Sequence, residues 1–271
     1  MYGFYDEYIR LSQNLLKQRI DKVTPYKIDY LKKIIKDDRV YKFISLDGDE
    51  AIAQAKLDTF RQGKIWYSYY KTLNDETEFK INYNAKYISR KTGKTTADID
   101  LLVNFLTQMY DVYSLTYDYQ DYMWDDYAAH GNGICIEYIV GDYDYLYPVE
   151  YVKKVDIDFN DMIVNAINFG DTTLSIIPWV IKNPYNITCE LDSTREKEVR
   201  MLYSPYDKGE LNYGVLQMDI KERLGYKGIA EPYNDFQLNI SKIIIGERCN
   251  QLVLSDLLKY LENEGINYEH R

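Results

Sequence analysis

Tyr122-Met123-Trp124-Asp125-Asp126-Tyr127-Ala128-Ala129-His130-Gly131-Asn132-Gly133-Ile134-Cys135-Ile136-Glu137-Tyr138 holds three kinds of local order in succession. A short aromatic, amphipathic segment comes first, and its Trp124 and Tyr127, three apart, share one face of a helical turn. Gly131-Asn132-Gly133 then supplies the positive-φ positions of a tight reversal. Residues 134–140 follow as a strand with a period of two. Aromatic rings just ahead of such a reversal can wall a pocket, with the strand as a rigid backing. Rings of this size are just as readily core residues.

Upstream, Phe4, Tyr8, Leu11, Leu15 and Leu16 recur at helical spacing, and Ile28, Leu31, Ile34 and Ile35 resume the stripe after a break at Pro25. Residues 40–44 are β-branched and aromatic and read as a strand. Asp47-Gly48-Asp49 turns into a helix over 50–61, with Ala53, Leu57 and Phe60 inward and Gly63 at its C′ position. Residues 64–70 form the next strand and 90–96 an exposed basic loop. Thr95 and Asp98 then open a helix as a capping box. Further strands are expected at 111–117, 147–155, 195–203, 214–220 and 240–245, and helices at 161–169, 173–181 and 252–262. Strands and helices interleave without a regular βαβ rhythm. The expectation is a mixed α+β domain over residues 39–271, preceded by a helical extension over residues 1–38.

A chain of 271 residues, 46% hydrophobic and 28% charged, falls within the range of ordinary soluble globular proteins. The longest apolar run, Ile176-Ile177-Pro178-Trp179-Val180-Ile181, is too short to span a bilayer. The opening Met1-Tyr2-Gly3-Phe4-Tyr5-Asp6-Glu7 lacks the basic-then-apolar pattern of a secretory leader, and no membrane association is expected. Cys135, Cys189 and Cys249 are far apart and odd in number, which argues against a disulfide framework and for a reducing cytoplasm. A net charge of -10 disfavours a standing binder of duplex DNA, while leaving transient contact with a nucleic-acid substrate open. Thirty tyrosines make a surface that is adhesive yet soluble, suited to a protein partner or to self-association. A biased genome composition would give the same count.

The chemistry is bounded by what the chain lacks. It has two histidines, His130 and His270, and no phosphate loop, GxGxxG, HExxH or paired CxxC. A reaction here runs on carboxylates, tyrosines and a substrate that brings its own reactivity. In Glu196-Lys197-Glu198-Val199-Arg200, period two puts both carboxylates and the guanidinium on one strand face. A carboxylate held ionised beside a cation stabilises an oxocarbenium-like transition state. A solvated strand edge carrying an ion-pair ladder has the same pattern. The acidic loop Asn74-Asp75-Glu76-Thr77-Glu78-Phe79 suits a cation or the hydroxyls of a ribose, or else a simple Asx turn. Tyr41 and Lys42, read as ending a strand ahead of a helix, offer a hydroxyl and an ammonium to phosphate or ribose. Arg90, Lys91 and Lys94 can guide an anionic substrate or form a solvated loop.

Tyr41-Lys42-Phe43, Gly63 to Ser68, Leu73-Asn74-Asp75, Glu78-Phe79, Tyr113-Ser114, Met123-Trp124, Tyr127-Ala128, Gly133 to Ile136, Val149 with Tyr151, Glu196 with Glu198 and Arg200, and Ile243 to Gly246 occur in the order seen in one family. It is a bacterial and phage domain-of-unknown-function family marked by Asn-Asp-x-x-Glu and Met-Trp-x-x-Tyr segments, which the chain resembles over roughly residues 40–250. Glu76 stands where that family usually has proline, and its tryptophan ahead of the final glutamates has no counterpart. More remotely, the order is similar to that of ADP-ribosyltransferases. That resemblance implies a mainly antiparallel central sheet flanked by helices. It implies that Glu198 binds the nicotinamide ribose of NAD and polarises the acceptor, with Glu196 helping. Tyr41 and Lys42 would hold the NAD ribose or phosphate, and Trp124 or Tyr127 would stack on a ring.

The expected function is therefore a cytoplasmic NAD-dependent ADP-ribosyltransferase or NAD glycohydrolase, a toxin or antiphage effector with a protein or nucleic-acid acceptor. Its expected catalytic residues are Glu198 and Glu196. NAD contacts are expected from Tyr41, Lys42, Asn74, Asp75, Glu78, Trp124, Tyr127 and Arg200, with no metal. A non-catalytic module that binds a protein partner is the alternative. Metal-dependent hydrolysis through Asp75, Glu78 and Glu198 is the third reading.

Overall fold

The structure is a computed structural model that describes residues 3–73, 79, 81–106, 109–153, 157–171, 173–186, 191–204 and 225–271. The apolar stripes fold as helices α1 (Phe4–Gln18), α2 (Val23–Ile34), α3 (Glu50–Arg61), α4 (Ala85–Thr92), α5 (Thr96–Leu106), α6 (Tyr122–Tyr127), α7 (Phe159–Phe169), α8 (Thr173–Val180) and α9 (Gln251–Glu264). The β-branched and aromatic runs give β1 (Arg39–Ser45), β2 (Lys64–Ser68), β3 (Asp111–Thr116) and β4 (Gly133–Val140). Short strands follow as β5 (Leu146–Pro148), β6 (Glu150–Tyr151), β7 (Ile181–Lys182), β8 (Tyr185–Asn186) and β9 (Leu191–Asp192). Then come β10 (Glu198–Tyr203), β11 (Gly228–Pro232), β12 (Leu238–Ile245) and β13 (Tyr268–His270).

Nine of these strands form one sheet, in the order β11-β2-β3-β1-β4-β12-β13, with β10 and then β5 added on the other edge of β3. Its pairings are antiparallel except β12 with β13. The expected α+β architecture, a mainly antiparallel central sheet flanked by helices, is what the chain adopts. The sheet forks at β3. Thr116 pairs with Tyr41 of β1, and Val112, at the other end of the same edge, pairs with Ser68 of β2.

Alternation along the strands feeds different cores. Val40, Tyr67, Leu115, Ile136, Val199 and Met201 pack with Leu57 of α3 and Leu257 of α9. Val112, on the opposite face of β3, joins Phe4, Tyr8, Ile88, Val103, Ile163 and Trp179 from α1, α4, α5, α7 and α8. A small third cluster gathers Phe43, Met123, Trp124, Ala128, Cys135 and Ile244. The N-terminal helices share these cores, α1 through Phe4 and Tyr8 and α2 through Leu31. No helix among the described residues is long and apolar enough to cross a membrane.

Several local expectations change. Pro25 does not break a helix; it sits in the first turn of α2, where its missing N–H loses no bond, and the break falls at residues 19–22 with Arg19 left-handed. The basic segment at 90–96 begins inside α4, which Asn84 caps through the Tyr87 amide and Gly93 ends at φ 71, so the exposed loop is shortened to residues 93–95. Only Ile88 of α4 is buried, so the segment carries almost no apolar period. The strand expected at 147–155 is cut at Val149 into β5 and β6, which pair with different partners. The expected strand 214–220 lies outside the described residues. The positive φ angles of the opening stretch fall on Ala129, His130 and Gly131, two positions ahead of the expected turn. Gly133 answers to close approach instead: a Cβ there would stand 2.3 Å from the Ile44 carbonyl oxygen.

Candidate functional site

β10 is not a solvated edge. β3 pairs along its whole length on one side and β5 on the other. Val199 and Met201 turn toward the first core, so Glu198 and Arg200 face the opposite side, opposite Thr116 and Ser114 of β3. Both are buried, and a buried charge needs a partner. Arg200 donates from Nε to Glu198 Oε1 at 2.6 Å and from Nη2 to Oε2 at 3.2 Å, while Nη1 donates to the Trp179 carbonyl at 2.8 Å. The Phe79 ring lies 5.5 Å from that guanidinium.

Glu196 is not on the strand. It ends a 3-10 turn, Ser193–Glu196, and Lys197 at φ 48 swings the chain into β10. The carboxylates meet through a different residue, Lys182. Its Nζ donates to Glu196 Oε2 at 2.6 Å and lies 3.5 Å from Glu198 Oε2. β7 delivers that ammonium by pairing with β6, whose Tyr151 hydroxyl accepts the Glu198 amide at 3.2 Å. Tyr127, at the end of α6, donates its hydroxyl to Glu196 Oε1 at 2.8 Å and stays 40% exposed. Beside it the Arg195 guanidinium covers the Tyr122 ring at 3.9 Å.

The two carboxylates are pushed apart electrostatically. Burial alone would raise Glu198, but the Arg200 and Lys182 charges, with hydrogen bonds from Arg200 and Ser114, hold it down at about 2. Burial and the Glu198 charge raise Glu196 above the ordinary range, against Lys182 and the Tyr127 bond. Burial and the Glu196 charge likewise push the Tyr127 phenol up. Glu198 is thus a fixed anion and Glu196 the group that more readily takes a proton.

The other expected site residues are distributed unevenly. Tyr41 pairs with Thr116, and Thr116 pairs with Glu198, so the three form one cross-strand row on one face. Two strand spacings put Tyr41 about 10 Å from Glu198 along the sheet. Lys42, its neighbour, points to the other face, so the two do not present a hydroxyl and an ammonium side by side. Nor do they end their strand, which runs on to Ser45. The Lys42 ammonium lies over the Tyr113 ring and donates to the Ser114 carbonyl at 2.9 Å, at the fork between the bridges to β1 and β2. Burial draws its pKa down to about 8 against the pull of Glu198.

Trp124 and Tyr127 do not share a wall. Trp124 is fully buried, donates its indole N–H to the Tyr119 hydroxyl at 2.9 Å and meets Phe43 edge to face at 5.2 Å. Arg271 lies 5.4 Å over its ring. Tyr127 alone reaches the carboxylates. Asn74, Asp75 and Glu78 lie outside the described residues. Among the described residues no group of three or more His, Cys, Asp or Glu side chains is placed to hold a metal ion.

Lys182 escaped the sequence reading. Its one signal is a charge that directly ends the longest apolar run, where burial of the run carries the ammonium inward. Compared with models of known protein families, with curated proteins and with solved structures, the chain matches none.

Proposed function

We propose that the chain cleaves the bond between nicotinamide and ribose in NAD and passes the ADP-ribosyl group to a macromolecular acceptor or to water, as a cytoplasmic toxin or antiphage effector. One observation carries this reading. Two carboxylates share a single ammonium, one held ionised and the other raised toward proton uptake. Such divergence is the arrangement that lets a carboxylate pair divide its roles. Glu198 stabilises positive charge on the ribose as the C–N bond breaks and nicotinamide departs with the electron pair. Glu196 takes the proton of the attacking acceptor. Tyr41, on the same sheet face, is available to the ribose or phosphate, and Tyr127 to a ring at the rim. The near absence of histidine is no obstacle, because nicotinamide leaves without needing an acid.

Nicotinamide release from labelled NAD, with protein and nucleic-acid acceptors supplied, tests the reading. Glu198→Gln is expected to slow release by about 10²–10³-fold. Absence of release under all acceptor conditions, from folded protein, would overturn it. A second reading is favoured by one specific observation: both Glu198 oxygens are already bonded, and the residue is 5% exposed. Under it the ion-pair cluster only fastens β10 to β7, and the chain is a non-catalytic module for a protein partner. That reading expects Glu198→Gln to alter stability while leaving partner capture intact.

A further inference from the structure

The β6–β7 ribbon has two faces, and the carboxylate cluster uses one. Glu150 pairs with Ile181 and Tyr151 with Lys182, and the Val152 amide extends the ribbon to the Lys182 carbonyl at 3.0 Å. Tyr151 and Lys182 go to the cluster. Alternation sends Glu150 and Ile181 the other way, where they wall a cavity of about 390 Å3 between the ribbon, α1 and α7. That volume lies within the roughly 300–1,000 Å3 of small-molecule sites.

Its lining is chemically one-sided. Ile9, Val152, Ile157, Met162 and Ile181 make an aliphatic floor. Asp6, Glu150, Asp158 and Asp161 stand on the walls, and among the described residues no lysine, arginine or histidine lines the space. Local bonds account for part of their capacity: Asp6 accepts from the Gly3 amide, Glu150 from Tyr5, Asp158 from Asn160 and Asp161 from the Tyr87 hydroxyl. None of the four is in an ion pair with a described residue. Burial, with Asp6 adding, raises Glu150 despite the Tyr5 amide, a penalty that a bound cation would relieve. The carboxylates come from three elements and no three of them are placed together as metal ligands. The complement of such a space is positive charge distributed along an aliphatic chain.

We propose that this cavity binds an extended alkylammonium, its methylenes on the aliphatic floor and its charges against the wall carboxylates. Free polyamine and a protein lysine side chain share this chemistry. The proposal goes beyond the NAD reading and does not rest on it, since binding is read with no NAD present.

Calorimetric titration with spermidine at physiological salt is the test, with N-acetyl-lysine methylamide as the second arm. The expected result is saturable one-to-one binding with a dissociation constant below about 1 mM. Asp161 is exposed and among the described residues bonds only to Tyr87, so Asp161→Asn leaves the fold intact; it is expected to weaken binding about tenfold. Asp256→Asn, on the distant α9, is expected to change nothing. Tighter binding of spermidine assigns the site to free polyamine, and tighter binding of the lysine amide assigns it to a protein side chain. No saturable binding of either probe overturns the proposal. So does an equal loss in Asp256→Asn, which would mean diffuse attraction to an acidic chain.

Discussion

Glu198 and Arg200, two residues apart on one interior strand, close a two-point ion pair in which neither side chain is appreciably exposed. Removing one partner strands the other charge in the protein. Arg200→Met is therefore expected to cost about 3–5 kcal/mol. Glu198→Leu combined with Arg200→Met should cost less than Arg200→Met alone, because Lys182 keeps Glu196 as its partner. Urea denaturation of the two single variants and the double gives the coupling; additive losses would mean the pair contributes no specific interaction.

The same carboxylates set opposite slopes of stability against pH. Glu198 titrates at about 2 when folded, against an ordinary value of 4.5. As pH falls through that window the unfolded chain takes the proton first, so this contribution, complete above 4.5, is lost toward 2. Glu196 is raised, so in its window above 4.5 the folded chain holds the extra proton and stability increases as pH falls. Denaturation midpoints measured from about pH 7 to pH 2 should show a shallower acid loss in Glu198→Gln and the reverse change in Glu196→Gln.

Lys42 governs the alkaline side, together with Lys27. Burial brings both down to about 8 from an ordinary 10.5. Between those values the unfolded chain binds more protons, so stability rises with pH above 8. The rise ends near 10, where tyrosines of the unfolded chain ionise while buried Tyr67 and Tyr113 keep their protons. Lys42→Met is expected to flatten the rise, and an unchanged slope would show that its ammonium is well solvated.

Gly246 joins the end of β12 to the opening turn through contact that excludes a side chain. A Cβ there would stand 2.1 Å from the Gly131 oxygen and 3.0 Å from the Gly133 oxygen. Gly246→Ala is expected to destabilise by about 1–3 kcal/mol through backbone displacement. Gly170 has open space but φ of 68, so Gly170→Ala should cost about 1 kcal/mol, from the left-handed backbone alone. Thermal unfolding of the two variants separates the causes.

These sites show where local pattern ends. Period two correctly placed Glu198 and Arg200 on one face, because strand alternation is a property of the backbone itself. It could not say whether that face was wet, which depends on β3 and β5 arriving from elsewhere in the chain. Lys182 was illegible for a related reason. It reaches Glu196 from a two-residue strand, too short for any period, at a sequence separation of 14. Trp124 and Tyr127 were read together from helical spacing. In a six-residue helix against a small cluster, one ring can be core and the other rim. The long amphipathic helices and β-branched strands needed no such context, and the fold class followed from them.

Tyr127 separates the catalytic reading from the structural one without disturbing the buried pair. Its hydroxyl donates to Glu196, and a hydrogen bond to the ionised carboxylate lowers that group's pKa. Tyr127→Phe therefore raises Glu196 further. If Glu196 takes the acceptor's proton, turnover needs its ionised form, and the acid limb of the pH–rate profile tracks its pKa. The expected result is an acid limb moved to higher pH in Tyr127→Phe, with the rate on the alkaline plateau retained, and an acid limb lost altogether in Glu196→Gln. A uniform fall in rate at every pH would instead assign the Tyr127 hydroxyl to packing, since a merely structural contact has no reason to move a titration.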